Sequence, residues 1–200
     1  MTGNHDGGVD EDLTLVSQCK EGNVNAFEEL VRRHQKRIFS VTFRMIGDYD
    51  EACEVTQDAF ISAYRNIGDF KGKSKFSTWI TAITINLTRN RLKALRSRRQ
   101  REAFSIDDPK PVEDGELSSE PQSMSPSVLE LLEKEDEKKR IQQCIDSLDP
   151  YQKEVLILRD VEGYTYEEIR NLLGISEGTV KSRLFRARQA MRVLLKKVGR

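Results

Sequence analysis

The stretch Thr165–Arg188, TYEEIRNLLGISEGTVKSRLFRAR, restricts the fold of this chain more than any other. It reads as two short helices joined by a tight, glycine-containing turn. Tyr166, Glu167 and Glu168 open the first helix, with carboxylates at its positive end. Ile169, Leu172 and Leu173 recur at helical spacing, and Gly174 stands where a C-terminal cap needs positive φ. Ser176 is placed as the N-cap of the second helix, with Glu177 in its first turn. Two helices with so short a turn have the layout of a helix-turn-helix, whose second helix enters the DNA major groove.

Phasing the second helix at about 100° per residue puts Val180, Leu184, Ala187, Met191 and Leu195 on an inner stripe. Ser182, Phe185, Arg186 and Gln189 then point outward, with Lys181 at the edge of that face. A guanidinium there can bridge two acceptors on guanine, and an aromatic edge can pack on a thymine methyl. Arg183 and Arg188 flank the stripe, where long side chains reach sideways to phosphates. A solvated basic helix closing a bundle is the plainer alternative. The short preceding helix, the turn and the cationic outer face together favour DNA.

The rest of the chain is consistent with an all-α protein. Hydrophobic residues make up 37% of the sequence, and no run of alternating β-branched residues resembles a strand. No apolar stretch approaches the roughly 20 residues needed to span a bilayer, and the start MTGNHDGGVDED lacks an apolar core, so a cytoplasmic location is expected. Net charge is zero, yet strongly segregated. Asn86–Arg101 carries seven basic residues and no acid, and Lys181–Arg200 carries eight and none. Between them, Glu102–Glu137 has twelve acids against two lysines. Two basic surfaces divided by an acidic stretch suggest one polyanion gripped at two places. Cys19, Cys53 and Cys144 lie far apart in the sequence, and His5 and His34 have no partner at metal-ligand spacing. With no phosphate-binding glycine loop or nucleophile motif either, the sequence points to no catalytic residues, no metal and no cofactor.

Four segments are expected: a disordered tail over 1–10, a helical unit over 11–101, a flexible acidic linker over 102–126 and a second helical unit over 127–200. In the first unit, helices are expected over Glu11–Glu21, Ala26–Met45 and Asp50–Asn66, with a long helix from Ser77 to about Arg99. The long helix should bury Phe76, Ile80, Ile83, Leu87, Ala94 and Leu95. In the second unit, Val128–Leu148 and Tyr151–Arg159 should precede the helix-turn-helix. The tether, about twenty residues, can span up to roughly 70 Å when extended.

Taken in order, AFEELVRRHQKRIFSV, EVTQDAFISAYRNIGDF, FSTWITAITINLTRNRLK and LDPYQKEVLILRDVEGYTYEEI, followed by GTVKSRLFRAR across an acidic linker, resemble a group IV (extracytoplasmic-function) sigma factor of the sigma-70 family. The resemblance implies two small helical domains, region 2 and region 4, that bind core RNA polymerase through its clamp and flap and recognise promoter DNA. It implies clamp docking by Glu54, Gln57, Asp58 and Ile61, with Cys53 and Thr56 departing from the usual pattern there. For the −10 element it implies capture of a flipped base by Asn86, with Phe70 in the preceding loop as a stacking surface and Lys71, Lys73 and Lys75 holding the displaced strand. Trp79 fits either the helix core or a cover over the base pocket. Arg89, Arg91, Arg96, Arg98 and Arg99 are the implied phosphate contacts on the upstream duplex. At the −35 element the implied readers are Lys181, Ser182, Phe185 and Arg186, nearly the outward set that phasing gives. An anti-sigma partner, often membrane-anchored, is also implied. The competing reading is a free-standing homodimeric helix-turn-helix repressor or activator, which has no need of FSTWITAITINLTRN behind a basic loop.

Overall fold

Turn residues divide the first half of the chain into helices. Asn23 caps the second helix by accepting from the Ala26 amide, and Asp48 caps the third by accepting from Glu51. Gly47 ends the second helix in the left-handed region at φ 84°, which its missing Cβ makes inexpensive. The computed structural model describes residues 8–105 and 128–198, with side chains over 12–101 and 136–197. These residues form α1 (Gly8–Lys20), α2 (Val24–Ile46), α3 (Tyr49–Arg65), a 3₁₀ turn (Ile67–Asp69) and α4 (Phe76–Ser105). After them come α5 (Val128–Asp146), α6 (Pro150–Leu156) running into a π-helical turn (Ile157–Val161), α7 (Tyr166–Leu173) and α8 (Glu177–Val198). No strand occurs among the described residues.

The first unit packs α1–α4 around Phe27, Leu30, Ile38, Ala59, Phe60, Phe76 and Ile80. On α2 the buried face includes Phe27, Leu30, Ile38, Val41 and Thr42, and on α3 Ala52, Val55, Ala59, Phe60 and Ala63, with Val31 and Thr56 only half-buried. The second unit packs α5–α8 around Val155, Ile157, Leu158, Ile169, Val180, Leu184 and Ala187. Three expectations need correction. Leu195 is 42% exposed and Leu194 packs on the core instead, so the inner stripe of α8 runs through Met191 to Leu194 rather than Leu195. On α4, Ala94 is exposed, while Thr81, Thr84, Ile85 and Thr88 are buried although outside the expected stripe. And α4 runs to Ser105, past the expected linker boundary; the rest of the expected linker and nearly all of the expected tail fall outside the described residues.

Thr81 is buried against the second unit, where its hydroxyl lies 2.8 Å from that of Tyr164. Each threonine hydroxyl donates to the carbonyl four residues back, Thr81 to Ser77, Thr84 to Ile80 and Thr88 to Thr84, at 2.7–2.8 Å. The two units, expected to sit apart on a tether, share a core. Val41 and Met45 of α2 and Ile85 of α4 belong to the same buried cluster as Ile145, Leu148, Leu156 and Tyr164.

Candidate nucleic-acid and polymerase interfaces

The helix-turn-helix is built by local capping. The Thr165 side chain takes the Glu168 amide while the Glu168 carboxylate takes the Thr165 amide, a complete capping box. Gly174 closes α7 at φ 66°, its amide reaching the Arg170 carbonyl at 2.9 Å. The Ser176 hydroxyl accepts from the Thr179 amide at 3.2 Å and so starts α8. Val180, Leu184 and Ala187, all nearly inaccessible, then fix the rotation of α8.

With that rotation, Lys181, Ser182, Phe185 and Arg186 are all exposed on one face. Phe185 is 64% exposed, a large apolar ring with no intramolecular reason to face water. Arg186 makes no ion pair with any described residue. Lys181 is held by Glu177 at 2.6 Å and lies over the Tyr166 ring, and the carboxylate raises its pKa. The flanking arginines are engaged elsewhere in this structure. Arg183 stacks over Tyr151, 4.7 Å from its centroid. Arg188 makes a two-pronged ion pair with Asp160 at 2.9 and 2.6 Å. Neither Tyr151 nor Asp160 is marked in the sequence, because both precede the helix-turn-helix and meet α8 only through the fold.

On α4, Asn86 is exposed and no described residue takes up its amide. Lys71, Lys73 and Lys75 are exposed in the loop before the helix. Phe70 is different: it is 3% exposed and packs edge-on against Phe76 and beside Trp79. The expectation of a stacking platform at Phe70 therefore fails in this conformation, because the ring completes the first unit's core. Trp79, half-buried between Phe70 and Phe76, takes the core alternative.

The arginines of α4 split into two groups. Arg96, Arg98 and Arg99 line a polar cleft between the units together with Glu51, Asp146 and Lys153. Arg89 instead donates through Nε and Nη2 to the Glu154 carboxylate of α6, at 2.7 and 2.8 Å. Arg91 pairs with Glu51 and, at 2.5 Å, with Glu54, which raises its pKa. The expected DNA face and the expected polymerase face thus touch through Arg91 and Glu54.

On α3, Glu54, Gln57, Asp58 and Ile61 are all exposed on the outer face. Gln57 and Ile61 border an apolar groove between α2 and α3 whose floor includes Phe27, Val31, Phe39 and Phe60. Cys53 is exposed at the same groove, whereas Cys19 and Cys144 are buried. Among the described residues, no group of three His, Cys, Asp or Glu side chains could hold a metal ion, and no helix is long and apolar enough to cross a membrane.

A helix-turn-helix with an exposed, partly basic face on its second helix is joined to a helical unit with a basic helix and an apolar groove, the layout of a two-part DNA-binding transcription factor. Residues 30–99 match Sigma-70 region 2, and residues 138–191 match Sigma-70, region 4. The RNA polymerase sigma-H factor of Pseudomonas aeruginosa is 34% identical over 91% of this chain and 92% of its own. The ECF RNA polymerase sigma-E factor of Escherichia coli is 33% identical over 90% of this chain and 92% of its own. Among solved structures, CnrH in complex with the cytosolic domain of CnrY covers 94% of this chain and 99% of its own, at 26% identity and a TM-score of 0.65. The chain belongs to the extracytoplasmic-function sigma factors of the sigma-70 family. It is a sigma factor, the subunit that binds core RNA polymerase and directs promoter recognition and DNA opening.

Proposed function

We propose a division of labour among named residues. In region 4, Lys181, Ser182, Phe185 and Arg186 read the −35 element, while Arg183 and Arg188 exchange Tyr151 and Asp160 for phosphates. In region 2, Asn86 captures a flipped base of the −10 element, Lys71, Lys73 and Lys75 hold the displaced strand, and Arg89, Arg91, Arg96, Arg98 and Arg99 meet the upstream duplex. Glu54, Gln57, Asp58 and Ile61 dock on the polymerase clamp. The exposed, unpaired Phe185–Arg186 face of α8 carries this reading, since nothing inside the molecule accounts for it.

The chain performs no chemistry itself; it positions DNA for the polymerase, and so acts in the cytoplasm. A protein antagonist of the anti-sigma class controls it. The structure of CnrH, similar over nearly the whole chain and solved with the cytosolic domain of CnrY, supports a protein partner, and the apolar α2–α3 groove offers it a seat.

Transcription from a set of single-base −35 variants, with holoenzyme, tests the assignment. Arg186→Ala should flatten the preference at one or two bases, by the 1–3 kcal/mol that a good base contact supplies. A uniform loss across all variants would remove Arg186 from the reading face.

A further inference from the structure

The first helix, α1, lies outside residues 30–99, the part of the chain that matches Sigma-70 region 2. It is nevertheless fixed to that unit at both ends. Near its start, the Asp12 carboxylate is buried, lies 2.8 Å from His34 Nε2 and takes Arg33 Nη1 at 3.4 Å. Between the ends, Val16 and Cys19 belong to the first unit's core. At its last residue, Lys20 Nζ donates to the Phe70 carbonyl at 2.6 Å, 50 residues away in the sequence.

That carbonyl opens the loop that carries Lys71, Lys73 and Lys75, and the loop has little else to define it. The Phe70 amide reaches the Ile67 carbonyl at 3.2 Å, and the Lys75 carbonyl takes the Thr78 and Trp79 amides at 3.1 Å. Between these points, no backbone group of residues 71–74 has a hydrogen-bond partner among the described residues. Gly72 turns the loop at φ 67°, and a Cβ there would stand 3.8 Å from Leu13 Cδ2 of α1. The path of the loop is therefore set at its base. There the Phe70 ring is buried against Phe76 and Trp79, and Lys20 holds the Phe70 carbonyl. A bond from an ammonium to a carbonyl is charge-assisted and stronger than a neutral one. Asn86 stands seven residues beyond Trp79 on α4. That is two turns on, along the same side of the helix and about 10 Å up its axis.

Building on the assignment of this loop and Asn86 to base capture at the −10 element, we propose that α1 braces the capture site and that Lys20 is its positioning residue. Lys20 touches no base. It fixes the Phe70 carbonyl, and with it the origin of the lysine-bearing loop and the seating of the Phe70 ring on Trp79. A loop whose own backbone bonds are so few loses its alignment with Asn86 when that anchor goes. The plainer role for a lysine here is a phosphate contact beside Lys71, Lys73 and Lys75, but its ammonium is committed to a carbonyl.

Lys20→Met keeps the stem and removes the donor, and Lys20→Arg restores a donor. Trp79 is the single tryptophan of the chain, so its fluorescence in the full chain, without polymerase or DNA, reports on the base of the loop. Lys20→Met should raise acrylamide quenching of Trp79 and shift its emission to the red, with helicity by circular dichroism unchanged. Should Lys20→Met lose helicity, Lys20→Gln carries the same test. Holoenzyme binding to single-stranded −10 oligonucleotides, intact or abasic at each position, then reads capture. Lys20→Met should lower discrimination by about two- to tenfold, the range one hydrogen bond supports, at the position that Asn86→Ala also affects. In the double variant it should add little to Asn86→Ala, because both act on one base. Lys20→Arg should restore both readouts. Unchanged Trp79 quenching in Lys20→Met would overturn the proposal, and so would losses that simply add in the double variant. A phosphate contact would also overturn it: intact and abasic strands would weaken alike, and the slope of log affinity against log salt would fall by about 0.7. If Asn86→Ala leaves discrimination untouched at every position, base capture by Asn86 fails instead, and the Trp79 readout alone decides whether α1 positions the loop.

Discussion

Arg188 is committed to Asp160 in this structure, and that makes Asp160 the more instructive residue to change. The pair has two short contacts, at 2.9 and 2.6 Å, but Arg188 is 52% exposed and Asp160 33%. An ion pair so wet is worth about 0.2–1 kcal/mol, so its loss on reaching for a phosphate is a small toll. Asp160→Asn removes that competition along with a negative charge beside the DNA path. Promoter affinity of the holoenzyme should therefore rise, by at most about fivefold for 1 kcal/mol. Arg188→Ala should weaken all promoters alike and lower the slope of log affinity against log salt by about 0.9. In the double variant the part of the gain that comes from freeing Arg188 should vanish, leaving only the effect of the removed negative charge. Fluorescence-anisotropy titrations of holoenzyme on labelled promoter at several salt concentrations read all three quantities. The reasoning fails if Asp160→Asn weakens binding as much as Arg188→Ala, because the pair would then be orienting α8 rather than competing with DNA.

Other expected outcomes follow from the same geometry. Asn86→Ala should impair promoter opening by about 1–3 kcal/mol, as one lost base contact would, and leave closed-complex formation nearly intact; permanganate reactivity on matched and pre-melted templates separates the two, and equal defects on both would make Asn86 a structural residue. Thr165→Ala removes the capping box and should cost about 1 kcal/mol of stability, visible in chemical denaturation, whereas an unchanged midpoint would show that tertiary packing alone holds α7. Ile61→Glu places a charge beside the apolar α2–α3 groove and should weaken binding to core polymerase while leaving the chain's helicity unchanged; undiminished binding would move the docking face elsewhere.

The parts of the fold legible in the sequence are those set by short-range rules. The helix-turn-helix was readable because its signals lie within a few residues of one another: carboxylates at the start, Gly174 at the cap, Ser176 at the next start and a periodic stripe that fixes rotation. Lys181, Ser182, Phe185 and Arg186 come out exposed for that reason. The capping box at Thr165 and Glu168 is equally local, set by a three-residue spacing. What stayed hidden depends on contacts between residues 65 to 125 positions apart. Nothing near Arg37 marks Glu162 of the second unit as its partner, and nothing near Arg89, expected as a phosphate contact, marks Glu154. Thr81, Thr84 and Thr88 fall outside the apolar stripe, and only their back-bonding to the helix, with the Tyr164 hydroxyl over Thr81, shows how they are buried. Phe70 misled for a different reason. Its stacking role was implied by the resemblance alone, yet its ring is buried against Phe76 and Trp79.

Run-off transcription with purified core polymerase and a randomised promoter library tests the central claim most directly. The chain should direct initiation only from templates that share two fixed blocks at constant spacing, and should show negligible sequence-specific DNA binding when core polymerase is left out. Tight binding of a palindromic site by the chain alone, with no initiation on adding core polymerase, would contradict it.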